Sequence, residues 1–257
     1  MHLNRFYCER LEESGAKLVG GEAHHLYNVC RLKVGSEVEL FDGAGTLATA
    51  VIEKATGKSV LLKVVNLEKI KKPDKSEVVI AVSCPKGERF DFVTGKCTEL
   101  GVDRIVPVIF ERTVKQPRNP KIVERWRNIA IAAAKQCRRI FLPQIDMPVT
   151  LSEAISAMKE RYDKAEILVG SLEPNSPALI TQRFDTKDVI AVIGPEGGIT
   201  EGEKTLLENC RAKFVRLTST VLRVETAALA FASVLTARRD SSPLRSAPAK
   251  QGRMKEK

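Results

Sequence analysis

One stretch, residues 189–203 with the sequence VIAVIGPEGGITEGE, constrains the fold most. It opens with a continuous apolar run rich in β-branched side chains, which predicts a buried strand. The run ends in Gly194–Gly198 (GPEGG), whose glycines allow a tight turn and close approach of the backbone to a ligand. Thr200 and Glu203 have the spacing of a capping box, which predicts a helix start. Open α/β sheets bind ligands at such places, although a βα turn without a ligand has the same pattern.

The second half of the chain alternates predicted strands and helices. Besides residues 189–193, short apolar runs predict strands at residues 77–84, 104–110, 166–170 and 213–217. Apolar residues at helical spacing predict helices at residues 90–100, 121–139, 152–161, 201–209 and 225–239. Ser152 is the predicted N-cap of the third helix. This alternation predicts an α/β fold in which a mostly parallel sheet carries helices on both faces.

The first 70 residues have a different pattern. Alternating polar and apolar residues predict strands at residues 36–41, 46–53 and 59–65, and a short helix precedes them within residues 21–32. Small β-barrels of this kind often bind RNA. We therefore expect His24, His25 and Arg31 to contact RNA, with packing or capping as the alternative role of a histidine here.

Composition shifts divide the chain into three predicted parts. Residues 69–76 are charged, contain a proline and have little to bury, which is typical of a linker. We expect a β-barrel domain at residues 1–70 and an α/β domain at residues 71–239. Residues 240–257 are rich in Ser, Pro, Gly and Lys, which predicts a basic disordered tail.

The charge and the cysteine pattern narrow the class of protein. The formal net charge of +10 favours a polyanionic partner such as nucleic acid. No apolar run is long enough to cross a bilayer, and the N-terminus has no apolar core of a signal peptide. Six scattered cysteines and three histidines lack the spacing of a metal site or a disulfide frame. We expect a cytoplasmic protein without a metal ion and without a membrane partner.

A second polar loop, residues 217–228, also lies between a predicted strand end and a predicted helix start. It carries Thr218, Thr220, Arg223 and Glu225. Together with the GPEGG loop at a neighbouring strand end, it would enclose a small ligand, and backbone groups there can bind an adenine edge. The chain lacks the Walker and GxGxxG signatures in these loops, so phosphate or dinucleotide binding is not indicated.

Four motifs carry a resemblance to a known family. GPEGG is followed by LRVETA at residues 222–227, and the chain also contains ELGV at residues 99–102 and HHLYNVCR at residues 24–31. This set resembles the SPOUT class of S-adenosylmethionine-dependent RNA methyltransferases. More closely it resembles the RsmE family, which methylates N3 of one uridine in 16S ribosomal RNA. The resemblance covers residues 3–239.

The resemblance implies more than the residue pattern shows. It implies an N-terminal PUA-like barrel, a C-terminal SPOUT domain with a trefoil knot, a homodimer and the small ribosomal subunit as substrate. Carried over by motif, the cofactor-binding residues would be Leu168, Gly170, Gly194, Pro195, Glu196, Gly197, Gly198, Leu217, Val221, Leu222 and Arg223.

Roles in catalysis and RNA binding can be assigned by chemistry. Removing the N3 proton leaves negative charge on the uracil, which an arginine is suited to stabilise, so Arg223 is the first candidate. Glu225 would be the base or an organiser, although a carboxylate at a helix start also complements the helix dipole. Basic residues suited to bind RNA phosphates, unless they are only solvated surface charges, are Arg89, Arg112, Arg138 and Arg139.

The chain departs from the family pattern at two places. Thr218 and Thr220 stand where the family usually has Gly and Arg, and the run AAAKQCRR lacks the usual acid near Ala134 or Lys135. Two alternatives therefore remain at this stage. One is a SPOUT enzyme that methylates a 2′-oxygen of tRNA or 23S rRNA. The other is a non-catalytic RNA-binding assembly factor.

Overall fold

The computed structural model describes residues 3–85, 87–113, 121–182 and 188–241. Its strands form two sheets, one before residue 70 and one after residue 77. The predicted tail lies outside the described residues, except that Asp240 and Ser241 are the last residues of a helix.

The first sheet has six strands in the order β1-β4-β5-β6-β3-β2. Its strands are β1 (Arg5–Tyr7), β2 (Leu11–Glu12), β3 (Gly15–Val19), β4 (Glu37–Phe41), β5 (Thr46–Ala55) and β6 (Ser59–Lys69). Only the β1–β4 pair is parallel. Alternate residues of β5, including Ala48, Ala50 and Ile52, are buried. This period-2 burial is the pattern from which the strands were predicted.

The predicted helix within residues 21–32 has a different form. Helix α1 (Gly20–His24) continues as one turn of π-helix over His25–Val29, in which the Cys30 N–H donates to the His25 carbonyl at 2.9 Å. Arg31 then takes a positive φ of 52° and ends the helical segment. Ala23 and Leu26 from this segment are buried in the core of the first sheet.

The second sheet is parallel throughout. Its main path runs β10-β8-β7-β12-β11-β13, and β9 pairs with β8 at the side. The strands are β7 (Val78–Ser83), β8 (Arg104–Ile109), β9 (Gln144–Ile145), β10 (Val149–Thr150), β11 (Glu166–Gly170), β12 (Val189–Ile193) and β13 (Lys213–Val215). Every residue of the central strands β7 and β12 is buried, which explains why both are continuous apolar runs.

Helices cover both faces of this sheet, as predicted. They are α2 (Arg89–Glu99), α3 (Lys121–Cys137), α4 (Leu151–Arg161), α5 (Glu201–Asn209) and α6 (Val224–Ser241). Helices α2, α3 and α6 share one core, in which the tilted rings of Phe90 and Trp126 are in contact with their centroids 4.2 Å apart. Helices α4 and α5 bury Met158 and Leu207 in the other core. No helix in the described ranges is long and apolar enough to cross a membrane.

Two expectations about this half of the chain are wrong. Helix α4 is capped by Thr150, not Ser152, because Thr150 and Glu153 form a reciprocal capping box. The strands that precede the GPEGG loop and the 217–228 loop are not neighbours either. Strand β11 lies between β12 and β13, so the chain that follows β11 also reaches the space between the two loops.

Candidate cofactor and RNA site

A cavity of about 530 Å³ opens at the carboxyl ends of β11, β12 and β13. Its walls are the GPEGG loop, the segment 171–174 after β11, the loop before α6, and residues near the starts of α5 and α6. The loops converge there because all parallel strands end at the same edge of the sheet.

Most of the predicted cofactor-binding residues lie in the walls of this cavity. They are Gly170, Gly194, Pro195, Glu196, Gly198, Leu217, Val221 and Leu222. Leu168, by contrast, is fully buried in the core below the cavity. Gly197 faces Arg112, whose Cβ would lie 3.3 Å from a Cβ at this glycine. Arg223 is exposed and lies outside the cavity walls.

The cavity also has wall residues that the sequence analysis missed. Segment 171–174 contributes Glu173, and its signal was its place directly after a strand. Helix α6 contributes Val224, Ala227 and Phe231, which lie on one helical face by their spacing. Lys204 comes from the first turns of α5.

The charged lining of the cavity is mainly negative. Glu173, Glu196 and Glu201 line it with one lysine, Lys204, whose Nζ lies 3.0 Å from Glu173 Oε1, and Arg89 from outside the lining pairs with Glu196. The hydrogen bond to the Glu173 carboxylate raises the pKa of Lys204, so the lysine stays charged. With Lys204 and Arg89 paired to two of the three carboxylates, one negative charge remains in excess, which favours a ligand with a positively charged group.

These residues fit S-adenosylmethionine. The apolar wall formed by Leu217, Val224 and Phe231 suits an adenine ring, and the carboxylates suit the sulfonium and ammonium charges. Gly170 lets Phe231 pack closely into this wall, because a Cβ at this position would lie only 3.3 Å from Phe231 Cε2.

The GPEGG loop leads into a firmly anchored helix start. The Thr200 side chain and Glu203 form the predicted capping box, which the structure confirms. Glu203 is 6% exposed, and its Oε1 also accepts a hydrogen bond of 2.8 Å from the Glu111 N–H. The helix start is thereby tied to the turn after β8.

Two of the arginines predicted to bind RNA phosphates contact the GPEGG loop. Arg89 Nη1 donates to Glu196 Oε1 at 2.7 Å, and its Nε lies 3.9 Å from Glu225 Oε1. Arg112 Nη1 donates to the Gly197 carbonyl at 2.9 Å. Their role as phosphate contacts stays a prediction, because an RNA phosphate would compete with these protein groups for the two guanidinium groups.

The other two arginines lie between the two halves of the chain. Arg138 Nη1 lies 3.2 Å from Glu39 Oε1, and Arg139 Nη1 donates to the Thr98 carbonyl at 3.0 Å. Burial lowers the pKa of Arg139, although the charge of Asp103 opposes this. Lys135, at the departure from the family pattern, forms a 2.6 Å ion pair with Glu22 in the same junction.

The predicted RNA contacts of the first sheet differ in exposure. His24 and Arg31 are exposed and available to a ligand. His25 packs against Phe6 with ring centroids 5.7 Å apart, and its Nε2 lies 3.8 Å from Cys30 Sγ. These contacts agree with the packing role of His25, and its contact with RNA stays a prediction.

The two predicted catalytic residues lie at the start of α6. Arg223 precedes the helix, and its carbonyl accepts from the Ala227 N–H at 2.9 Å. The Glu225 side chain is 13% exposed, and its Oε2 is buried without a hydrogen-bond partner among the described residues. A buried carboxylate oxygen without a donor is costly, which marks it as a position for a ligand group.

The loop before α6 is shaped by the two threonines that depart from the family pattern. Thr218 Oγ1 donates to the Thr220 carbonyl at 3.0 Å.

Within the described ranges, no three His, Cys, Asp or Glu side chains are grouped to hold a metal ion.

Comparison with known proteins identifies the family. Residues 72–236 match the family model of an RNA methyltransferase domain, and residues 18–65 match that of an RNA methyltransferase PUA domain. Ribosomal RNA small subunit methyltransferase E of Mycobacterium tuberculosis is 32% identical over 92% of this chain and 94% of its own length. The Synechocystis protein of the same name is 32% identical over 85% of this chain and 72% of its own.

Solved structures agree with this result. A Legionella pneumophila methyltransferase in complex with S-adenosylmethionine matches with a TM-score of 0.82 and 29% identity, over 93% of this chain and 98% of that one. A Neisseria gonorrhoeae ribosomal RNA small subunit methyltransferase E, also bound to S-adenosylmethionine, matches with a TM-score of 0.80 and 27% identity. This match covers 92% of this chain and 98% of that one. The resemblance found in the sequence is confirmed, and the chain belongs to the ribosomal RNA small subunit methyltransferase E family.

Proposed function

We propose that this protein transfers a methyl group from S-adenosylmethionine to N3 of one uridine in 16S ribosomal RNA. The single observation that carries the proposal is the cavity at the GPEGG loop, with its apolar wall and its carboxylates, lined at the start of α6 by Val224, the residue before Glu225. Family membership supports the same reaction class. S-adenosylmethionine, when bound, supplies a methyl group already activated by the sulfonium charge.

The chain's own residues then have to position and deprotonate the base. N3 lies on the Watson–Crick edge of uracil, so the base must be unpaired or flipped out of the stack. Arg223, exposed at the edge of the cavity-lining loop, stabilises the negative charge that develops on the uracil. Glu225 accepts the N3 proton or a hydrogen bond from the substrate through its unpartnered Oε2.

In this proposal the first half of the chain binds RNA and the second half carries out methyl transfer. The first 70 residues form a PUA-like RNA-binding domain, in which the exposed His24 and Arg31 contact RNA. Residues 71–239 form the methyltransferase domain with a trefoil knot around the cofactor. The protein acts as a cytoplasmic homodimer, and exposed Leu172 and Val221 at the cavity mouth are available to a second subunit.

The test is methyl transfer to small ribosomal subunits that lack the modification. We expect one methyl group per subunit, located on uracil N3 by digestion and mass spectrometry. A methyl group on a ribose 2′-oxygen would replace this proposal with another SPOUT reaction. Binding of subunits without cofactor binding would indicate an assembly factor.

A further inference from the structure

The GPEGG loop is held from two sides by arginines from separate parts of the fold. Arg89, the first residue of α2, donates to the Glu196 carboxylate at 2.7 Å. Arg112, in the turn after β8, donates to the Gly197 carbonyl at 2.9 Å. Inside the loop, the Gly198 N–H donates to the Pro195 carbonyl at 2.9 Å. Much of the loop's fixation therefore comes from outside it.

The Arg112 side is itself anchored. The Glu111 N–H donates to Glu203 Oε1 at 2.8 Å, which ties the turn to the start of α5. On the other side of the turn, the Phe110 N–H donates to Thr113 Oγ1 at 2.9 Å. Arg112 thus projects from a turn that is held by hydrogen bonds within the protein itself.

The Arg89 side joins two walls of the cavity. Its Nη1 contacts Glu196 in the GPEGG loop, and its Nε lies 3.9 Å from Glu225 Oε1 at the start of α6. A planar guanidinium can serve two carboxylates at once, which the single ammonium of a lysine does less well. Glu225 is mostly buried, so this contact also limits the direction of its free Oε2.

We propose that Arg89 and Arg112 are positioning residues, which set the GPEGG loop in its cofactor-binding shape before RNA arrives. The proposal rests on the proposed function, because it takes this loop as part of the cofactor site. When the loop is already ordered, binding loses less conformational entropy, so the cofactor binds more tightly. The prediction from sequence, that both arginines bind RNA phosphates, gives them no role in cofactor affinity.

Calorimetric titration with S-adenosylmethionine in the absence of RNA separates the two roles. We expect Arg89→Gln and Arg112→Gln each to weaken cofactor affinity about fivefold, as for partly exposed charged hydrogen bonds. Arg125→Gln is the matched control. Arg125 lies on α3 and pairs with Asp91 of α2 and, at 3.5 Å, with Glu88, so this variant removes the same charge nearby but no contact with the GPEGG loop. We expect it to bind the cofactor like the wild type.

A conservative variant and a double-mutant cycle sharpen the test. Arg89→Lys keeps the charge and would restore a phosphate contact, but we expect it to leave cofactor affinity reduced. In the Glu196→Gln background, Arg89→Gln should reduce cofactor affinity by a smaller factor than in the wild type, because the carboxylate partner of Arg89 is already lost. Additive effects in this cycle would contradict action through Glu196.

One result would overturn the proposal: both glutamine variants bind the cofactor like the wild type, but they have a higher KM for small subunits and a salt-dependence slope reduced by about 1. Failure of the proposed function gives a different result, since the wild type itself would then bind no S-adenosylmethionine or methylate no uracil. Thermal melts of all variants check that each one is folded.

Discussion

Two of the loops that line the cavity, the GPEGG loop and the loop before α6, are held very differently. The GPEGG loop is bonded to Arg89, Arg112 and, through the following capping box, Glu203. In the loop at residues 218–223 the threonines bond to each other, Val221 is 77% exposed, and no side chain of another described element donates to it. The GPEGG loop therefore forms a wall that the protein itself holds in place, which we call the preset wall. Residues 218–223 form an open wall, which the cofactor, RNA or a second subunit would complete.

The largest effect is expected on the open side, at Arg223. Arg223→Ala should lower kcat about 100- to 1000-fold, as for loss of a group that stabilises charge in the transition state. Cofactor affinity should stay within about twofold, since Arg223 lies outside the cavity walls. Single-turnover methylation and calorimetry measure the two quantities. An equal loss in both would place Arg223 in the preset wall instead.

On the preset side, Gly194 is the most sensitive position. A Cβ here would lie 2.7 Å from Ile199 Cγ1, so Gly194→Val forces side chains of the cavity wall apart. We expect cofactor affinity to fall about tenfold, because relief of this overpacking displaces residues of the cavity wall. Gly202→Val is the control, since the nearest atom to its Cβ is Glu111 Oε1 at 4.0 Å. Equal affinities of the two variants would contradict a preset wall.

The two capping boxes offer a finer comparison. Both have the sequence pattern T-x-x-E, but Glu203 is buried and bonded to Glu111, whereas Glu153 caps an exposed helix start. Glu203→Gln should lower the free energy of unfolding by about 1–3 kcal/mol, and Glu153→Gln should lower it less. Urea denaturation measures both. We also expect weaker cofactor binding only for Glu203→Gln, and the same change in both variants would contradict the link to Arg112.

The smallest effect is expected from restoring the family residue in the open loop. Thr220→Arg should lower the KM for small subunits a few-fold and increase the salt-dependence slope by about 1, because it adds one phosphate contact. Initial rates at several salt concentrations test this. An unchanged salt slope would show that this position does not approach the RNA backbone.

Local patterns in the sequence predicted the helices of the second half and the longer strands after residue 35, but they missed the short strands β1, β2, β3, β9 and β10. Each central strand is a continuous apolar run because both of its faces are buried, and Thr200 with Glu203 marked a helix start. The error at Ser152 was avoidable, since Thr150 has a glutamate three residues later and Ser152 does not.

Long-range contacts could not be predicted in this way. The placement of β11 between β12 and β13 is a property of the sheet, so the wall residue Glu173 was missed. Arg89 and Arg112 were assigned to RNA from charge alone. Their partners lie 107 and 85 residues away, a separation across which no local pattern carries information.

The most direct test of the account is methylation of unmodified small ribosomal subunits by the wild-type protein, with the product mapped by mass spectrometry. The account predicts calorimetric binding of S-adenosylmethionine without RNA, followed by one methyl group on N3 of a single uracil in 16S ribosomal RNA. Cofactor binding followed by a methyl group on a ribose oxygen, or on no atom of this RNA, would contradict it.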